Sequence, residues 1–457
     1  MCDILFIHAP GPPTTLFLPF PPLGIGYLAS VLEKKGFDVK IIDLNVETLD
    51  KSKFKKIIKL HNPKIVGISS TSLSIPYALE VAKTIKSILD VPIVLGGAHA
   101  TVDPAFVYKF SDYFDYQVIG EGEITFPSIA KELLRKKRLK RKVYKGIPVS
   151  NLDSIPFPAY HLLPMTKYVK FAAPMIISRG CPYACTFCRP HEKIVRFRSV
   201  DNIIDEIKFL REKYNIHIIE FEDDNFTLNK KLVKKLCEKI IEEKLEIEWS
   251  CQTRVNLVDF HLLQLMKRAG CKFITFGLET FSPYLQGIIN KNLSLKDMIL
   301  VLRLTKKVGM KVGVNCIFGI PEEREKDINL TLWYLNKLKP DHIFFSVLVP
   351  FPQTVVFDSL VKKKKIEKDI WDKYANKIEA PPISLSENFS PILYFSYFTK
   401  IASYSRIGIY IPKFFSILQF LKLFTSLRRF VYRNEKIFYY IERFSLNTFA
   451  KVRFLQL

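Results

Sequence analysis

Apolar runs alternate with amphipathic segments of helical period over residues 1–135, which predicts strands separated by helices. The predicted strands are DILFIHAP, DVKIIDLN, KIVGISS, PIVLGG and YQVIGEGE. Strands this apolar are buried on both faces, which is typical of a parallel sheet covered by helices on both sides. We therefore expect a doubly wound, Rossmann-like α/β domain over residues 1–135.

The loops that follow these strands are the expected ligand-binding positions, because open α/β sheets bind ligands beyond the carboxyl ends of their strands. Four such loops lie at residues 11–22, 69–76, 96–101 and 120–123. They concentrate glycine and small hydroxyl residues, which allow the backbone to approach a flat or anionic ligand closely.

A second alternating series of strands and helices runs over residues 173–358. The predicted strands are PMIIS, IHIIEFED, EIEWSCQT, KFITFGLE, KVGVNCIFG and HIFFSVLVP. Six βα-type units predict a partial (β/α)6 barrel of the TIM type, whose active site would lie at the C-terminal ends of the strands. The polar residues predicted at those ends are Glu222, Asp223, Asp224, Gln252, Arg254, Glu279, Asn315 and Glu322.

Residues 136–172 are predicted to be a linker between the two series. The linker begins near the charged run KKRLKRK and continues into LDSIPFPAYHLLP, which is too rich in proline for regular structure.

Residues 359–457 are expected to form a basic, aromatic-rich and mainly helical C-terminal domain, as in KFFSILQFLKLFTSLRRF. Apolar residues interleaved with bases describe a helix at an anionic membrane surface, and equally a helix packed on the barrel with snorkelling bases. We favour packing, because amphipathic core helices are the commoner case. Peripheral membrane association is the alternative, and it would make a lipid-like substrate plausible.

Charge is the one unusual feature of the composition. The formal net charge is +24, which favours anionic partners such as nucleic acid, an acidic membrane surface or phosphorylated substrates. A lysine-rich composition without functional meaning explains the charge equally well. The start MCDILFIHAP lacks the basic region of a signal peptide, and no transmembrane run is predicted, so we expect a cytoplasmic protein.

Three of the eight cysteines, Cys181, Cys185 and Cys188, form a Cys-x3-Cys-x2-Cys group. Structural zinc requires four ligands, usually in paired cysteine units, and although His191 could serve as a fourth, no second pair exists. A disulfide would leave one thiol over and is disfavoured in the cytosol. A [4Fe–4S] cluster normally takes four thiolates, so three would leave one iron open to a substrate.

The segment RGCPYACTFC resembles the cluster loop of the radical S-adenosylmethionine (SAM) superfamily, in which three cysteines bind three irons and SAM chelates the fourth. Phe187, the aromatic residue before the last cysteine, also fits that family. The loop follows the first predicted barrel strand, where the family places it. The resemblance implies that Cys181, Cys185 and Cys188 are the cluster ligands.

Further segments resemble the family's SAM contacts with less specificity. EFEDDNF stands where the family contacts the SAM amino group, GLET where a polar contact is expected, and VNCIFGIPEE near the adenine, with Asn315 replacing that element's first glycine. Taken alone, each acidic residue could equally be a solvated loop carboxylate. The implied SAM-binding residues are Phe187, Asp223, Asp224, Arg254, Glu279, Asn315, Ile317 and Gly319.

The first domain resembles the cobalamin-binding domain of class B radical SAM enzymes, and the resemblance covers roughly residues 1–355. The Asp-x-His-x-x-Gly motif, whose histidine ligates cobalt in other cobalamin proteins, is absent. His99 could face the corrin but is not expected to ligate cobalt. The implied cobalamin-binding residues are Leu23, Gly24, Ser70, Thr71, Ser72, Gly96, Gly97, His99, Gly120, Glu121 and Gly122.

This resemblance implies an enzyme that cleaves SAM reductively to a 5′-deoxyadenosyl radical and modifies an unactivated carbon of a small-molecule or lipid-like substrate. Methylation from methylcobalamin is the expected outcome, with flavodoxin or ferredoxin as electron donor and a monomeric enzyme.

Three rival functions stay open at this point. The first is radical cyclisation or oxidation without methyl transfer. The second is an RNA-modifying, methylthiolating enzyme, although residues 1–135 contain only Cys2 and no RNA-binding module follows the barrel, so nucleic acid is not expected as a partner. The third is a non-enzymatic metal- or cobalamin-binding protein.

Overall fold

The first domain is built on a six-stranded parallel sheet with the order β2-β1-β3-β4-β5-β6. The computed structural model describes residues 1–11, 20–47, 49–136, 138–188 and 192–379, with 381, 382, 384, 386, 388, 409 and 410. The strands are β1 Ile4–His8, β2 Val39–Asp43, β3 Ile65–Ser69, β4 Ile93–Gly96, β5 Tyr116–Ile119 and β6 Val143–Lys145.

The sequence pattern did not predict β6, which lies in the range expected to be a linker. Its three residues pair with β5, with Val143 opposite Gln117. A strand this short at the edge of a sheet has no periodicity of its own, and the basic run before it conceals its start.

Both faces of this sheet are covered by helices, as the apolar strands indicated. The helices are α1 Leu23–Lys34, α2 Lys51–His61, α3 Ile75–Lys86, α4 Gly97–Val102, α5 Phe106–Lys109 and α6 Thr125–Lys136. Successive residues of β1 enter different cores: Phe6 packs with Phe126 of α6, and Ile7 packs with Leu79 of α3. This alternation explains why β1 has no polar face.

The second domain contains a seven-stranded sheet with the order β15-β14-β13-β12-β11-β10-β7. All of its pairings are parallel. The strands are β7 Ala172–Met175, β10 Ile218–Phe221, β11 Glu248–Thr253, β12 Cys271–Glu279, β13 Lys311–Phe318, β14 His342–Val347 and β15 Ile409–Tyr410. A separate antiparallel hairpin follows β7; its strands are β8 Ser178–Arg179 and β9 Arg196–Phe197.

The first six strands of the larger sheet are those predicted for the partial barrel. The seventh, β15, pairs with β14 and adds a strand to the tail that was expected to be mainly helical. The aromatic and basic stretch at residues 413–430 lies outside the described residues. Among the residues the structure describes, no helix is both long enough and apolar enough to cross a lipid bilayer.

Helices alternate with the barrel strands and continue after them. They are α7 Val200–Tyr214, α8 Lys230–Glu242, α9 Phe260–Arg268, α10 Pro283–Ile288, α11 Leu295–Lys307, α12 Glu325–Leu338, α13 Val355–Lys362 and α14 Ile370–Ala375. The start of α7 is set by Ser199, whose side chain accepts a hydrogen bond from the Asn202 backbone N–H.

Two contacts join the segment after β14 to the first domain. Trp371 of α14 is buried in the core that contains α3, and Tyr374 donates a hydrogen bond from its hydroxyl to the Leu73 carbonyl at 2.7 Å. The start of the predicted C-terminal domain therefore packs back on the first sheet.

The proline-rich connector also packs closely between the two domains. Residues 152–164, expected to lack regular structure, contain short 3-10 turns at Leu152–Ser154 and Tyr160–Leu162. The fully buried Tyr160 donates a hydrogen bond to Glu206 of α7 at 3.1 Å. Gly26 of α1 permits this packing, because a Cβ there would lie 2.9 Å from the Pro158 Cβ.

Candidate active site

The three clustered cysteines lie on the loop that leaves β8 and returns through β9. Gly180 begins the loop with φ 101°, and a Cβ at this position would lie 2.6 Å from the Ile194 carbonyl oxygen. Only glycine meets both requirements without strain. The Cys181 backbone N–H then donates to the Glu192 carbonyl at 3.0 Å, which draws the two arms of the loop together.

Contacts from distant parts of the chain hold the far end of this loop. The Thr186 backbone N–H donates to the Ile289 carbonyl at 3.1 Å, and the Asn290 side-chain amide donates to the Ala184 carbonyl at 2.9 Å. The Thr186 carbonyl accepts from the Val356 backbone N–H at 3.1 Å. The loop is therefore fixed by the end of α10 and the start of α13.

Two side chains direct hydrogen-bond donors toward the sulfur atoms. The Asn225 amide nitrogen lies 3.4 Å from Cys181 Sγ, and Arg254 Nη1 lies 3.8 Å from Cys185 Sγ. The Arg254 guanidinium also lies over the Tyr183 ring, 3.9 Å from its centroid. Donors of this kind stabilise negative charge on cysteine ligands and tune the potential of an iron–sulfur cluster.

The donor set of this loop is three free thiols, the ligand type that iron–sulfur clusters take. Within the described ranges, no group of three His, Cys, Asp or Glu side chains is placed to chelate one ion. A [4Fe–4S] cluster binds separate thiolates through separate irons, so its ligands need not meet at one point. Burial, with Asp224 and Cys185 nearby, raises the pKa of Cys181, so the thiolate form needs a cationic partner.

Asp223 holds the end of the first barrel strand. Its buried carboxylate accepts hydrogen bonds from the Ile177 N–H at 3.1 Å and from the Ser178 N–H at 2.7 Å and hydroxyl at 2.5 Å. Burial raises the pKa of Asp223 to about 7, although these hydrogen bonds favour its ionised form. These contacts position the β8–β9 hairpin, whereas the neighbouring Asp224 is exposed and lines the cavity described below.

A buried ion pair occupies the end of β12. Lys291 Nζ lies 2.6 Å from Glu279 Oε1, and Arg254 donates a hydrogen bond to the Lys291 carbonyl. A Cβ at Gly277 would lie 2.8 Å from Lys291 Nζ, so this glycine makes room for the lysine. Lys291 was missed by the sequence analysis, because it becomes a neighbour of Glu279 only after α10 turns the chain back.

The predicted adenine-side residues lie on β13 and the turn after it. Asn315 is opposite Gly277 in the register of the sheet, and Ile317 packs in the same apolar cluster as Phe187 of the cysteine loop. Gly319 has φ 85°, and a Cβ there would lie 2.2 Å from the Ser384 carbonyl oxygen. Phe187 and Ile317 therefore pack against the same apolar cluster, while the fold itself requires glycine at 319.

A cavity of about 380 Å³ lies between the carboxyl ends of the first sheet and the mouth of the barrel. The predicted cobalamin-binding residues in its wall are Leu23, Gly24, Gly96, Gly97, Gly120, Glu121 and Gly122. The opposite wall comes from the second domain and includes Ser178, Arg179, Arg196, Glu222, Asp223 and Asp224. Ligand loops of both domains therefore share one space.

The glycines of this wall leave its surface open. A Cβ added at Gly24, Gly96 or Gly120 would meet no atom within 4 Å, so each position offers bare backbone toward free space. Gly97 is different, since its φ is 87° and a Cβ would lie 2.8 Å from Ser69 Oγ. Bare backbone at Gly24, Gly96 and Gly120 would let a flat macrocycle such as a corrin approach this wall closely.

Four residues predicted to bind cobalamin do not line this cavity: Ser70, Thr71, Ser72 and His99. The Ser70 hydroxyl donates a hydrogen bond to the Thr71 carbonyl at 2.8 Å, so its partner lies within the loop itself. The His99 ring is fully buried, with Nδ1 3.1 Å from Ser72 Oγ and the ring edge against Phe106. Burial lowers the pKa of His99 to about 4. The contact of these four residues with cobalamin stays a prediction.

Comparisons with known proteins agree with this architecture. The B12-binding domain family matches residues 14–130, and the radical SAM superfamily matches residues 175–333. An uncharacterized methyltransferase of Pyrococcus horikoshii is 36% identical over 374 residues, covering 78% of this chain and 81% of that protein. The anaerobic magnesium-protoporphyrin IX monomethyl ester cyclase of Rubrivivax gelatinosus is 26% identical over 385 residues, covering 78% and 68%.

A solved structure shares the same fold. The radical SAM methyltransferase TsrM from Kitasatospora setae, solved with cobalamin and a [4Fe–4S] cluster bound, superimposes with a TM-score of 0.66 at 18% identity, covering 79% of this chain and 75% of that one. The chain belongs to the cobalamin-binding radical SAM enzymes. The predicted fold class, family and cofactor set are thereby confirmed.

Proposed function

We propose that this chain is a cobalamin-dependent radical SAM enzyme that methylates an unactivated carbon of a small-molecule substrate. The observation that carries the proposal is the shared cavity, whose walls are the glycine loops of the first domain and the acidic strand ends of the barrel. On the barrel side this cavity is lined by Gly180, the neighbour of Cys181, and by Asp223 and Asp224 of the predicted SAM site. The proposal includes a one-electron donor of the flavodoxin or ferredoxin type and a monomeric enzyme.

The chain's own residues would hold and orient the groups that react. Cys181, Cys185 and Cys188 would bind the cluster, while Asn225 and Arg254 donate toward its sulfur ligands. When bound, the cluster, SAM and cobalamin supply the reducing electron, the hydrogen-abstracting radical and the methyl group.

Orientation of SAM is proposed to depend on the ends of β10, β12 and β13. Asp224 lines the cavity, and the buried Glu279–Lys291 pair at the end of β12 provides a fixed charge of each sign. Phe187 and Ile317 pack against one apolar cluster and provide apolar surface. This pattern of separated polar and apolar surfaces suits a ligand with a zwitterionic end and a flat base.

Radical cyclisation without methyl transfer is the second candidate, because the Rubrivivax gelatinosus relative is a cyclase. The two functions share both cofactor loops, so the cavity does not separate them. Their products differ, since methyl transfer from SAM through cobalamin releases S-adenosylhomocysteine in addition to 5′-deoxyadenosine.

The test is anaerobic incubation of the reconstituted protein with SAM and dithionite, followed by chromatography of the nucleoside products. We expect 5′-deoxyadenosine from the native chain and none from the C181A/C185A/C188A variant. The matched control is C237A, which removes a buried thiol of α8 and should retain the activity. Equal 5′-deoxyadenosine from the triple variant would refute the proposal, whereas S-adenosylhomocysteine formation with candidate substrates distinguishes methylation from cyclisation.

A further inference from the structure

Four charged side chains join the cysteine loop to the cavity wall of the first domain. Arg179 Nη1 lies 3.3 Å from Glu121 Oε2, and Arg179 Nη2 lies 2.7 Å from Glu123 Oε1. Arg196 Nη1 donates to Glu121 Oε2 at 3.0 Å, and its Nη2 donates to the other oxygen of the same carboxylate. We call this group the interdomain clamp.

We propose that the interdomain clamp is a positioning device that sets the distance between the cluster loop and the cobalamin-binding wall. The inference deepens the proposed function and rests on it, because it concerns the relative placement of the two cofactors. Arg179, Arg196 and Glu123 act through the loops they hold, so they are positioning residues; Glu121 is also among the predicted cobalamin-binding residues, so no variant of it is used in the test.

Their places in the chain are the first support for this inference. Arg179 immediately precedes Gly180 and Cys181, and it pairs with Arg196 across the β8–β9 hairpin. Glu121 and Glu123 alternate with Gly120 and Gly122 in the loop after β5, and all four line the cavity. The clamp therefore joins the hairpin that presents the cysteines directly to a loop that forms the opposite wall.

Charge balance is the second support. Two arginines stand opposite each other on paired strands, an arrangement that is repulsive unless anions lie between them. The two carboxylates supply that neutralisation, and the four side chains are only 7–14% exposed. Although burial opposes its ionisation, Arg196 holds the pKa of Glu121 below its usual range. Removing one partner would leave a buried charge without compensation.

Backbone contacts tie a third segment into the clamp. Glu121 Oε2 accepts from the Val149 N–H at 2.8 Å, and Arg196 Nη1 donates to the Val149 carbonyl at 2.6 Å. The Arg179 guanidinium also lies 5.2 Å from the centre of the Tyr27 ring of α1. The connector and α1 thus restrain the same two arginines. These directional contacts fix the orientation of the hairpin, which charge attraction alone would not do.

Loosening the clamp should change the distance between cofactors without removing a ligand of either. Catalysis that depends on held geometry is sensitive to displacements of about 1 Å. A role limited to overall stability would instead lower cofactor content and melting temperature together, with no change in the geometry of the molecules that remain folded.

The experiment compares the native chain with R179A, the milder R179K, E123A, and the control E248Q, which breaks an exposed ion pair with Lys272 on the barrel. Each protein is reconstituted anaerobically with iron, sulfide and cobalamin, and iron and cobalt are counted. Pulsed electron paramagnetic resonance then measures the dipolar coupling between the reduced cluster and cob(II)alamin. We expect one sharp coupling in the native chain and in E248Q, and a shifted or broadened one in R179A, R179K and E123A at full cofactor content.

Hydrogen exchange of the cofactor-free protein provides a readout that does not depend on the proposed function. Residues 119–123 and 178–181 should exchange at least about tenfold faster in R179A, the ratio expected for losing one charged hydrogen bond. Unchanged exchange in R179A and R179K, or unchanged coupling at full cofactor content, would overturn the inference. If the native chain binds neither cofactor but residues 119–123 and 178–181 still exchange faster in R179A than in the native chain, the proposed function is refuted. The role of the interdomain clamp in holding the two loops would still be supported.

Discussion

The cysteine loop and the glycine loops of the first domain, which lie on opposite sides of the cavity, have opposite requirements for side chains. The cysteine loop depends on side chains, because three thiols must project from eight consecutive residues toward one group. The glycine wall depends on the absence of side chains, since Gly24, Gly96 and Gly120 leave open backbone. The first should therefore be destroyed by removing atoms, and the second by adding them.

The largest expected effect follows from removing the thiols. In the C181A/C185A/C188A variant, iron should fall from about four atoms per chain to almost none, because no other described group can replace the ligands. Cobalamin binding should persist, since the glycine wall is untouched. Metal analysis together with visible absorption checks both statements, and simultaneous loss of cobalamin would show that the two sites are not independent.

Adding atoms to the glycine wall is the reciprocal change. Gly24 lies in the first turn of α1, and a Cβ there meets nothing within 4 Å, so G24L should fold and fill the cavity. Overfilling costs about 1–3 kcal/mol, which corresponds to roughly 5- to 150-fold weaker cobalamin binding. Titration followed by absorption measures this loss, with G24A as the matched control that should bind nearly normally. Equal affinity in G24L would place cobalamin elsewhere.

The buried His99 beneath the glycine wall predicts a pH dependence of stability. Its pKa is about 4 in the folded chain and 6.5 when unperturbed, so between these values the unfolded chain binds more protons. Stability from this group is complete above pH 6.5 and falls by about 3 kcal/mol as the pH drops to 4. Chemical unfolding from pH 4 to 7 should show this slope, and H99F, which cannot ionise there, should flatten it. An identical slope in both proteins would assign the effect to other groups.

The smallest expected effect is a difference in unfolding free energy between alanine substitutions at the adjacent Gly96 and Gly97. Gly97 combines φ 87° with a hypothetical Cβ only 2.8 Å from Ser69 Oγ, so G97A should lower the unfolding free energy by about 2 kcal/mol. Gly96 has an extended backbone and open space, so G96A should be nearly neutral. Urea unfolding of both variants makes the comparison, and equal losses would mean that position 97 is not strained.

The same contrast explains what the sequence could predict. The spacing of the cysteines is a local pattern, so the cluster loop could be predicted from the sequence alone. The glycine loops could be predicted because each one follows an apolar strand. The pairing of Glu121 with Arg196 spans 75 residues, and that of Tyr374 with Leu73 spans 301. No local pattern encodes such partners, because they depend on how the two domains pack.

His99 and its serine neighbours show how little residue type says about the direction in which a loop turns. Small hydroxyl residues after a strand are typical of a ligand-binding loop. Here the Ser70 hydroxyl donates a hydrogen bond to the Thr71 carbonyl, and the Ser72 hydroxyl is hydrogen-bonded to the His99 ring. Which way such a loop turns is decided by the packing of Phe106 and Trp371 around the ring. Residue type alone could not separate a cavity wall from a buried hydrogen-bond network.

The most direct test of the account is the metal content of the anaerobically reconstituted chain, measured for iron, cobalt and zinc in one sample. One cluster and one corrin facing a shared cavity predict about four iron atoms per cobalt atom and no stoichiometric zinc. One zinc atom per chain without iron, or a full cluster with no cobalt after incubation with excess cobalamin, would contradict it.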